Sequence, residues 1–453
     1  MPSPNGAGTE PGPRLGEPPL AAPATAASDP YAAPIAGPAS VPAATSTMPL
    51  PSTRLVSRMF ESLHHRDFRI FYVGQLISVI GTWMQSVAQG WLVLTLTGSP
   101  FLLGVASAVR TVPILLLAVP AGIAADRFDR RGIVIAANTL MLAMSAALAI
   151  LTLTGAVTFG WVLVLAIGLG IGNAFEMPTR QSMVVQLTGP RHLPNAIALN
   201  SLLFNGARVV GPALGGLIVA VAGPGVAFAI NAASFVPVLV GLAVIHPQTR
   251  ERSTARARGA VTEAFRYLRR ERRVALLLAL LAANTIFASG YVVLGPALAE
   301  ELGQGPEGLG LVLSAAGVGA VAGGLRLAAV AGRGSQLRIL VVAGIALGVG
   351  LVLLPFAGSF ALTLALMLVV GWGMVTYSAT SNTVIQTIVP DLLRGRIMSL
   401  YTVVMIGLLP IGSLILGALA DRYGTALALG VGGALWAAIV GLAFAGSERL
   451  RTL

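Results

Sequence analysis

The chain has 453 residues, of which 55% are apolar and only 10% charged, and its mean hydropathy is +0.83. A soluble domain carries about 25% charged residues, so most of this surface must be matched to lipid. An array of soluble domains, a disordered chain and a small disulfide scaffold are excluded. There is no cysteine, which removes disulfides, thiolate metal sites, Fe–S clusters and a thiol nucleophile. The four histidines, His64, His65, His192 and His246, fall in segments that read as loops. No metal site and no cofactor are expected. The net charge is +12 and every basic residue is arginine; codon bias is the plainest source of that choice. The arginines are spread over many short loops rather than gathered in a patch, so no nucleic acid is expected as a partner. Without lysine there is no phosphate-binding Gly-x-x-x-x-Gly-Lys loop, which excludes an ATP-driven pump within this chain.

In chain order, residues 1–53 hold 13 of the 28 prolines and read as a disordered, Pro/Ala-rich tail on the cytoplasmic side. No signal-peptide pattern is present in it. From Ile70 onward, apolar runs of bilayer length recur. Twelve are expected, over 70–96, 101–125, 132–154, 158–184, 195–222, 225–245, 274–299, 308–331, 338–357, 360–388, 396–420 and 425–446. Many are rich in glycine and alanine, which let membrane helices approach closely. Arginines mark alternate loops. Arg54, Arg58, Arg66 and Arg69 precede the first span, Arg127, Arg130 and Arg131 follow the second, and nine lie between Arg250 and Arg273 after the sixth. The odd-numbered spans are followed by loops without arginine, and only Arg422 breaks the pattern. Basic loops stay in the cytoplasm, so both termini are expected there. The organisation is then a six-helix bundle over 54–245, a basic linker over 246–273 and a second six-helix bundle over 274–453. In the linker, Val261, Ala264, Phe265 and Leu268 follow helical spacing among arginines, the pattern of an amphipathic helix on the membrane surface.

The halves resemble each other. Gly168-Leu-Gly170 followed by Gln186, Pro190 and Leu199 is echoed by Gly371-Trp-Gly373, Gln386, Pro390 and Leu400, and Gly215-Gly216 by Leu416-Gly417. Internal duplication is typical of secondary transporters. The sharpest motif joins the second and third spans: Gly122, Asp126, Arg127, Arg130 and Arg131, in the order Gly-x-x-x-Asp-Arg-x-x-Arg-Arg. A glycine there lets another helix cross closely, and a carboxylate at a helix end suits a neighbouring helix N-terminus or an arginine.

That motif, in that loop, resembles the signature of the major facilitator superfamily. The resemblance runs from about Arg66 to Arg449. Asn173 to Gln181 in the fourth span, Asn205 to Gly216 in the fifth and Phe265 to Leu268 before the seventh resemble the drug:proton antiporter branch that contains enterobactin exporters and macrolide efflux pumps. The resemblance implies an all-α membrane protein, with twelve transmembrane helices in two six-helix bundles. It implies that the loop after the second span latches against the eleventh, which begins near Arg396, in the outward-open state. A degraded copy, Gly323-Gly324-Leu-Arg326, lacks the acid.

Ionisable residues inside spans mark cavities or partners. Four stand out in the first half: Arg110, Glu176, Arg180 and Arg208. Glu176 and Arg180 are four apart and share a helix face. Glu176 is a member of the latch together with Arg180, or the protonatable coupling group, or half of a plain structural pair. Arg110 has no acid at its own depth and is the better candidate to face a substrate. Arg208 either binds an anionic substrate or pairs with a carbonyl where Pro212 interrupts its helix. Gln75, Ser78, Thr82, Gln85 and Gln89 share one face of the first span. The superfamily's cavity is lined by its first, fourth, seventh and tenth helices. That adds Asn173, Asn284, Tyr377, Asn382 and Gln386.

The expectation is a monomeric secondary transporter of the bacterial inner membrane, not an enzyme, with the lipid bilayer and a small organic substrate as partners. It would export an amphipathic drug- or siderophore-type molecule by alternating access, with protons as the coupling ion. The alternatives are an importer or lipid flippase of the same fold, or a non-transporting membrane sensor.

Overall fold

The computed structural model describes residues 61–245, 260–329 and 335–446. Its helices follow from local signals. A short 3-10 turn, Glu61–His64, leads into α1 (Arg66–Thr97), which stops where Gly98 adopts the left-handed conformation (φ 61°) and returns its N–H to Leu94. Helix α2 (Pro100–Arg127) starts with a serine cap, Ser99, and a proline in its first turn. Helix α3 (Arg130–Leu153) is capped by Asp129, whose carboxylate accepts from the Gly132 N–H at 2.8 Å. The helical run Phe159–Val244 leaves helical geometry at Gly189 (φ 68°) and Gly223 (φ 80°). It is therefore three helices: α4 (Phe159–Gly189), α5 (195–222) and α6 (224–244). The linker helix α7 (Ala260–Arg270) precedes α8 (Arg272–Glu301), which contains a π-helical turn at Asn284–Ala288. The rest are α9 (Pro306–Ala329), α10 (Gln336–Val352), α11 (Phe360–Ile388), α12 (391–423) and α13 (Thr425–Gly446).

Ten of these stretches are long and apolar enough to cross a membrane. One of them, Asn195–Val244, folds back at Gly223. Leu199 near its start and Leu242 near its end meet in the same core cluster, with Phe68, Phe71, Val134 and Met183. The apolar helix Gln336–Val352 is shorter. With the fold-back at Gly223 and this shorter helix, the described residues are consistent with twelve apolar helices and one linker helix, with no strand among them. A second core cluster fills the far end of the first half around Leu94, Leu148 and Phe228. The largest one fills the second half around Tyr291, Tyr377 and Trp436.

Several boundaries differ from expectation for local reasons. The ninth span, expected to reach residue 357, stops at Val352 and passes into a 3-10 turn at Leu354–Phe356, since Pro355 cannot donate to a continuing helix. The eleventh starts at Asp391, directly after Pro390, rather than near Arg396, and is interrupted at Leu408 ahead of Pro410. His192 lies in the connection between α4 and α5, and its ring lies edge-on to that of His65 at 4.8 Å. In α7, Leu268 and its neighbour Tyr267 pack on the second-half core, so this end of the helix turns toward protein. The side chains of Val261, Ala264 and Phe265, His246, and the arginines from Arg250 to Arg258 lie outside the described residues, as does the 1–53 tail.

The internal repeat is visible as repeated packing. A Cβ on Gly170 would strike the Arg110 carbonyl of α2, and one on Gly371 would strike the Ala316 carbonyl of α9. Gly172 sits against Ala137 of α3 as Gly373 sits against Ala343 of α10. The register therefore pairs Gly170 and Gly172 with Gly371 and Gly373, two residues from the alignment expected from Gly168. Pattern alone could not separate three glycines at alternate positions; the carbonyls opposite them do.

The packing yields a contrast. Gly371→Ala puts a methyl against backbone of α9 and should lower the melting temperature in detergent by several degrees or abolish expression. Gly122→Ala and Gly441→Ala face open space and should leave melting unchanged or slightly raised.

Candidate functional site

Two pairs of helices make most of the contact between the halves, α2 with α12 and α5 with α9. In the α2–α12 seam, a Cβ on Gly104 would strike the Ser413 carbonyl, and one on Gly417 would lie 3.1 Å from the Pro100 carbonyl. In the α5–α9 seam, a Cβ on Gly310 would lie 2.7 Å from the Pro212 carbonyl, and one on Gly216 would strike the Pro306 carbonyl. The two seams correspond residue for residue. Each is sealed by a serine that donates across it, Ser413 to the Gly104 carbonyl at 3.2 Å and Ser314 to the Val209 carbonyl at 2.7 Å. All of these contacts lie toward the end of the molecule opposite the arginine-rich loops. Toward the basic end, the same four helices expose glycines with nothing within 4 Å of a Cβ: Gly122 in α2, Gly206 in α5, Gly324 in α9 and Gly395 in α12. The halves are closed at the far end and parted at the basic end.

The motif after α2 lies in that parted region. Gly122 faces open space instead of a crossing helix, because α12 packs on the other half of α2. Asp126 and Arg127 are exposed and make no ion pair or hydrogen bond among the described residues. Arg130 donates from Nε to the Ala125 carbonyl at 3.1 Å, and Arg131 donates from Nη2 to the Ala243 carbonyl at 2.7 Å and from Nε to Leu242. Both arginines thus satisfy helix C-termini. Arg396 of α12, near the expected docking point, pairs with Glu263 of α7. In the second-half copy, Gly323 packs on Trp372 and Thr376 of α11, and Arg326 lies over the Trp372 ring at 5.4 Å.

At the far end the same chemistry is engaged. Asp421, at the C-terminal end of α12, accepts from the Ser99 hydroxyl at 2.7 Å and from the Phe101 N–H at 3.5 Å, at the N-terminus of α2. Sequence reading missed it, although the signal is present. Gly417-Ala-Leu-Ala-Asp421-Arg422 repeats the spacing of Gly122, Asp126 and Arg127. This also accounts for Arg422 as the exception to the basic-loop pattern.

Between the seams lies a cavity of two lobes. The larger, about 350 Å³, is lined by Gln75, Thr82, Arg110, Asn173, Glu176 and Arg180 among others, with Trp83, Phe204 and Phe235 as aromatic walls. The smaller, about 230 Å³, takes Gln89 and Thr111 from the first half and Pro296, Leu313 and Leu409 from the second. Both include Ser86, Arg110 and Val292. Glu176 and Arg180 approach to 2.7 Å within α4. Arg180 also reaches Asn200 at 3.3 Å and stacks on Phe204 at 4.6 Å. Gln75 and Gln89 are buried, and each keeps one amide atom without a partner.

Other residues singled out in the sequence stand elsewhere. Gln85, at the edge of the polar arc of α1, turns away from the cavity and accepts from Ser145 at 2.8 Å and from Asn231. Ser234 extends this buried network by donating to Asn231. Its members sit on α1, α3 and α6, and only Gln85 carried a signal in the sequence. Arg208 donates to the Tyr291 hydroxyl at 2.8 Å, joining α5 to α8 of the other half. Asn284 and Tyr377 are buried in the second half and line neither lobe; Tyr377 meets Trp436 edge-on at 4.9 Å. Asn382 and Gln386 bond each other at 2.5 Å at the basic end of α11.

Comparison with known proteins gives a family and a fold. A family model described as "Transmembrane secretion effector" matches residues 57–451. The chain is similar to the staphyloferrin A transporter of Staphylococcus aureus, at 26% identity, over 79% of this chain and 90% of that one. It is also similar to the multidrug efflux pump Tap of Mycolicibacterium fortuitum, at 28% identity over 76% and 87%. In fold it resembles a bacterial homolog of the human lysosomal transporter Spinster, solved in an inward-facing and unoccupied conformation. That likeness has a TM-score of 0.66 at 15% identity and covers 85% of this chain and 97% of that one.

The ion pair in α4 can be tested by a double-mutant cycle on melting temperature. Arg180→Gln and Glu176→Gln each leave a charge without its partner in a largely buried place. The double variant should be more stable than the sum of the singles predicts, with a coupling of about 1 kcal/mol or more.

Proposed function

Because the chain belongs to the transmembrane secretion effector family of the major facilitator superfamily, we propose that it exports a small amphipathic organic molecule by alternating access, driven by protons. The observation that carries this reading is the state of the two seams, closed at the far end and parted at the basic end around a two-lobed cavity. Basic loops mark the cytoplasmic side. On that orientation the termini are cytoplasmic and the conformation is inward-facing, ready to take substrate from the cell interior or the inner leaflet. The similarity to a staphyloferrin A transporter and a multidrug efflux pump favours small organic cargo over lipid flipping or a sensor role. The protein works as a monomer in the inner membrane, since cavity and seams are complete within one chain.

Helices α2 and α12 run antiparallel. Each carries Gly-x-x-x-Asp-Arg at its C-terminal end, facing the partner's N-terminus. Asp421 on the α2 N-terminus holds the outer end shut; Asp126 on the α12 N-terminus would hold the inner end shut after the halves rock. A helix N-terminus carries partial positive charge and free N–H groups, so each carboxylate contact is a modest, reversible clasp. Rigid halves pivoting about the seams cannot engage both at once. Glu176, the one carboxylate among the residues lining the two lobes, is the proton-carrying group; protonation would release Arg180 and link cavity charge to the rocking.

Two measurements test this. In an efflux-deficient bacterial host, the wild type should lower the accumulation of some members of a panel of dyes, macrolides and siderophores. Asp126→Asn or a protonophore should abolish that effect. Raised accumulation would make the protein an importer. Because the chain has no cysteine, spin labels at Thr154→Cys and Phe356→Cys, one on each half at the far end, report the outer gate directly. Asp421→Asn should shift the distance distribution toward longer separations, and Asp126→Asn toward shorter ones.

A further inference from the structure

The cavity carries a net charge. Its larger lobe is lined by three ionisable side chains, Arg110, Glu176 and Arg180, and its smaller lobe by Arg110 alone. Glu176 and Arg180 neutralise each other at 2.7 Å. Arg208, the other arginine within the first-half spans, lines neither lobe and is engaged by Tyr291. What remains is the guanidinium of Arg110, which makes no ion pair or hydrogen bond to any described residue. A guanidinium this deep in a membrane helix is retained only with a water-filled space or a counter-charge before it.

Its position is fixed. Gly170 brings α4 onto the Arg110 carbonyl so closely that a Cβ would not fit, which anchors the base of the side chain where the two lobes meet. The surrounding polar groups are also unsatisfied. Gln75, 5% exposed in the larger lobe, and Gln89, 6% exposed in the smaller, each keep a buried amide atom without a partner. Buried polar atoms are rarely left so, and each of these lines a lobe that Arg110 also lines. Trp83, Phe204 and Phe235 supply flat apolar walls.

We propose that the cargo is an organic anion, an amphipathic carboxylate whose charge is met by Arg110 and which takes a polar contact from the Gln75 amide in one lobe or the Gln89 amide in the other. This rests on the reading of the chain as a transporter and gives its substrate class. The planar guanidinium matches a carboxylate with two parallel hydrogen bonds. A cationic cargo would find no free carboxylate in either lobe and would have to displace Arg180 from Glu176 while sitting beside Arg110.

The test compares two dyes that share a xanthene core, anionic carboxyfluorescein and cationic rhodamine 123, as ligands of the purified full-length protein in detergent. Carboxyfluorescein should bind at least about tenfold more tightly than rhodamine 123, and Arg110→Gln should remove that preference. Arg110→Lys, which keeps the charge but loses the fork, should retain part of it. Folding of each variant is checked by its melting temperature, and the lysine variant remains informative if the glutamine variant fails to fold. Tighter binding of rhodamine 123, equal carboxyfluorescein affinity in wild type and Arg110→Gln, or binding of neither dye would overturn the proposal. Displacement of carboxyfluorescein by short-chain phosphatidylglycerol at lower concentration than by citrate would overturn it in favour of a lipid headgroup. The spin-label distances at the outer gate stand apart from all of these results. If they still respond to Asp421→Asn, the transporter reading survives and only the substrate class fails.

Discussion

The architecture depends on one steric condition: at four places a backbone carbonyl of one half needs a glycine on the other. Gly104, Gly216, Gly310 and Gly317 meet the Ser413, Pro306, Pro212 and Arg208 carbonyls so closely that a Cβ would clash, and Gly417 sits tightly on Pro100. In lipid there is no hydrophobic gain from bringing apolar helices together, so close van der Waals approach and short polar contacts must hold the halves. Glycine supplies the first, and Ser413 and Ser314 the second. Contacts of this kind are lost sharply when helices tilt. In the proposed cycle, that sharpness suits the seams to act as hinges between two arrangements instead of as a continuously deformable joint.

Buried polar groups then divide the labour. The Gln85–Ser145–Asn231–Ser234 network ties three helices of the first half together and faces no cavity. Arg208 with Tyr291 ties one half to the other. Glu176 with Arg180 is satisfied within one helix yet borders the cavity, so its charges are neutralised but remain reachable. Among the residues lining the two lobes, the Arg110 guanidinium and one amide atom each of Gln75 and Gln89 keep unused capacity.

The two Gly-x-x-x-Asp-Arg ends of α2 and α12 give the proposed cycle a simple physical basis. The same antiparallel pair carries a clasp at each end, and only the far one is closed here. The related α5–α9 seam has the glycines but no matching carboxylate. Packing is thus duplicated between the halves while charge is not, and control of the gate is concentrated on one seam.

The sequence alone determined the membrane-spanning class, the alternation of basic loops and the family motif after α2. These are properties of composition and of spacing along one chain: apolar length, arginine placement and a five-residue signature. It also put Glu176 beside Arg180, because a four-residue separation on a helix is local geometry. Tertiary structure alone decided which polar residues look inward. Gln85 and Gln89 lie one turn apart on α1, yet one is sequestered by α3 and α6 while the other meets the cavity. Tyr377 and Asn284 carried the same polar signal as Asn173 but are enclosed by the second-half core. Rotation of a helix about its axis is set by its neighbours, and no spacing within a single span encodes it. The clasp at Asp421 lay between these cases: its spacing was written in the chain, and its partner, Ser99, some 320 residues away, was fixed only by the fold.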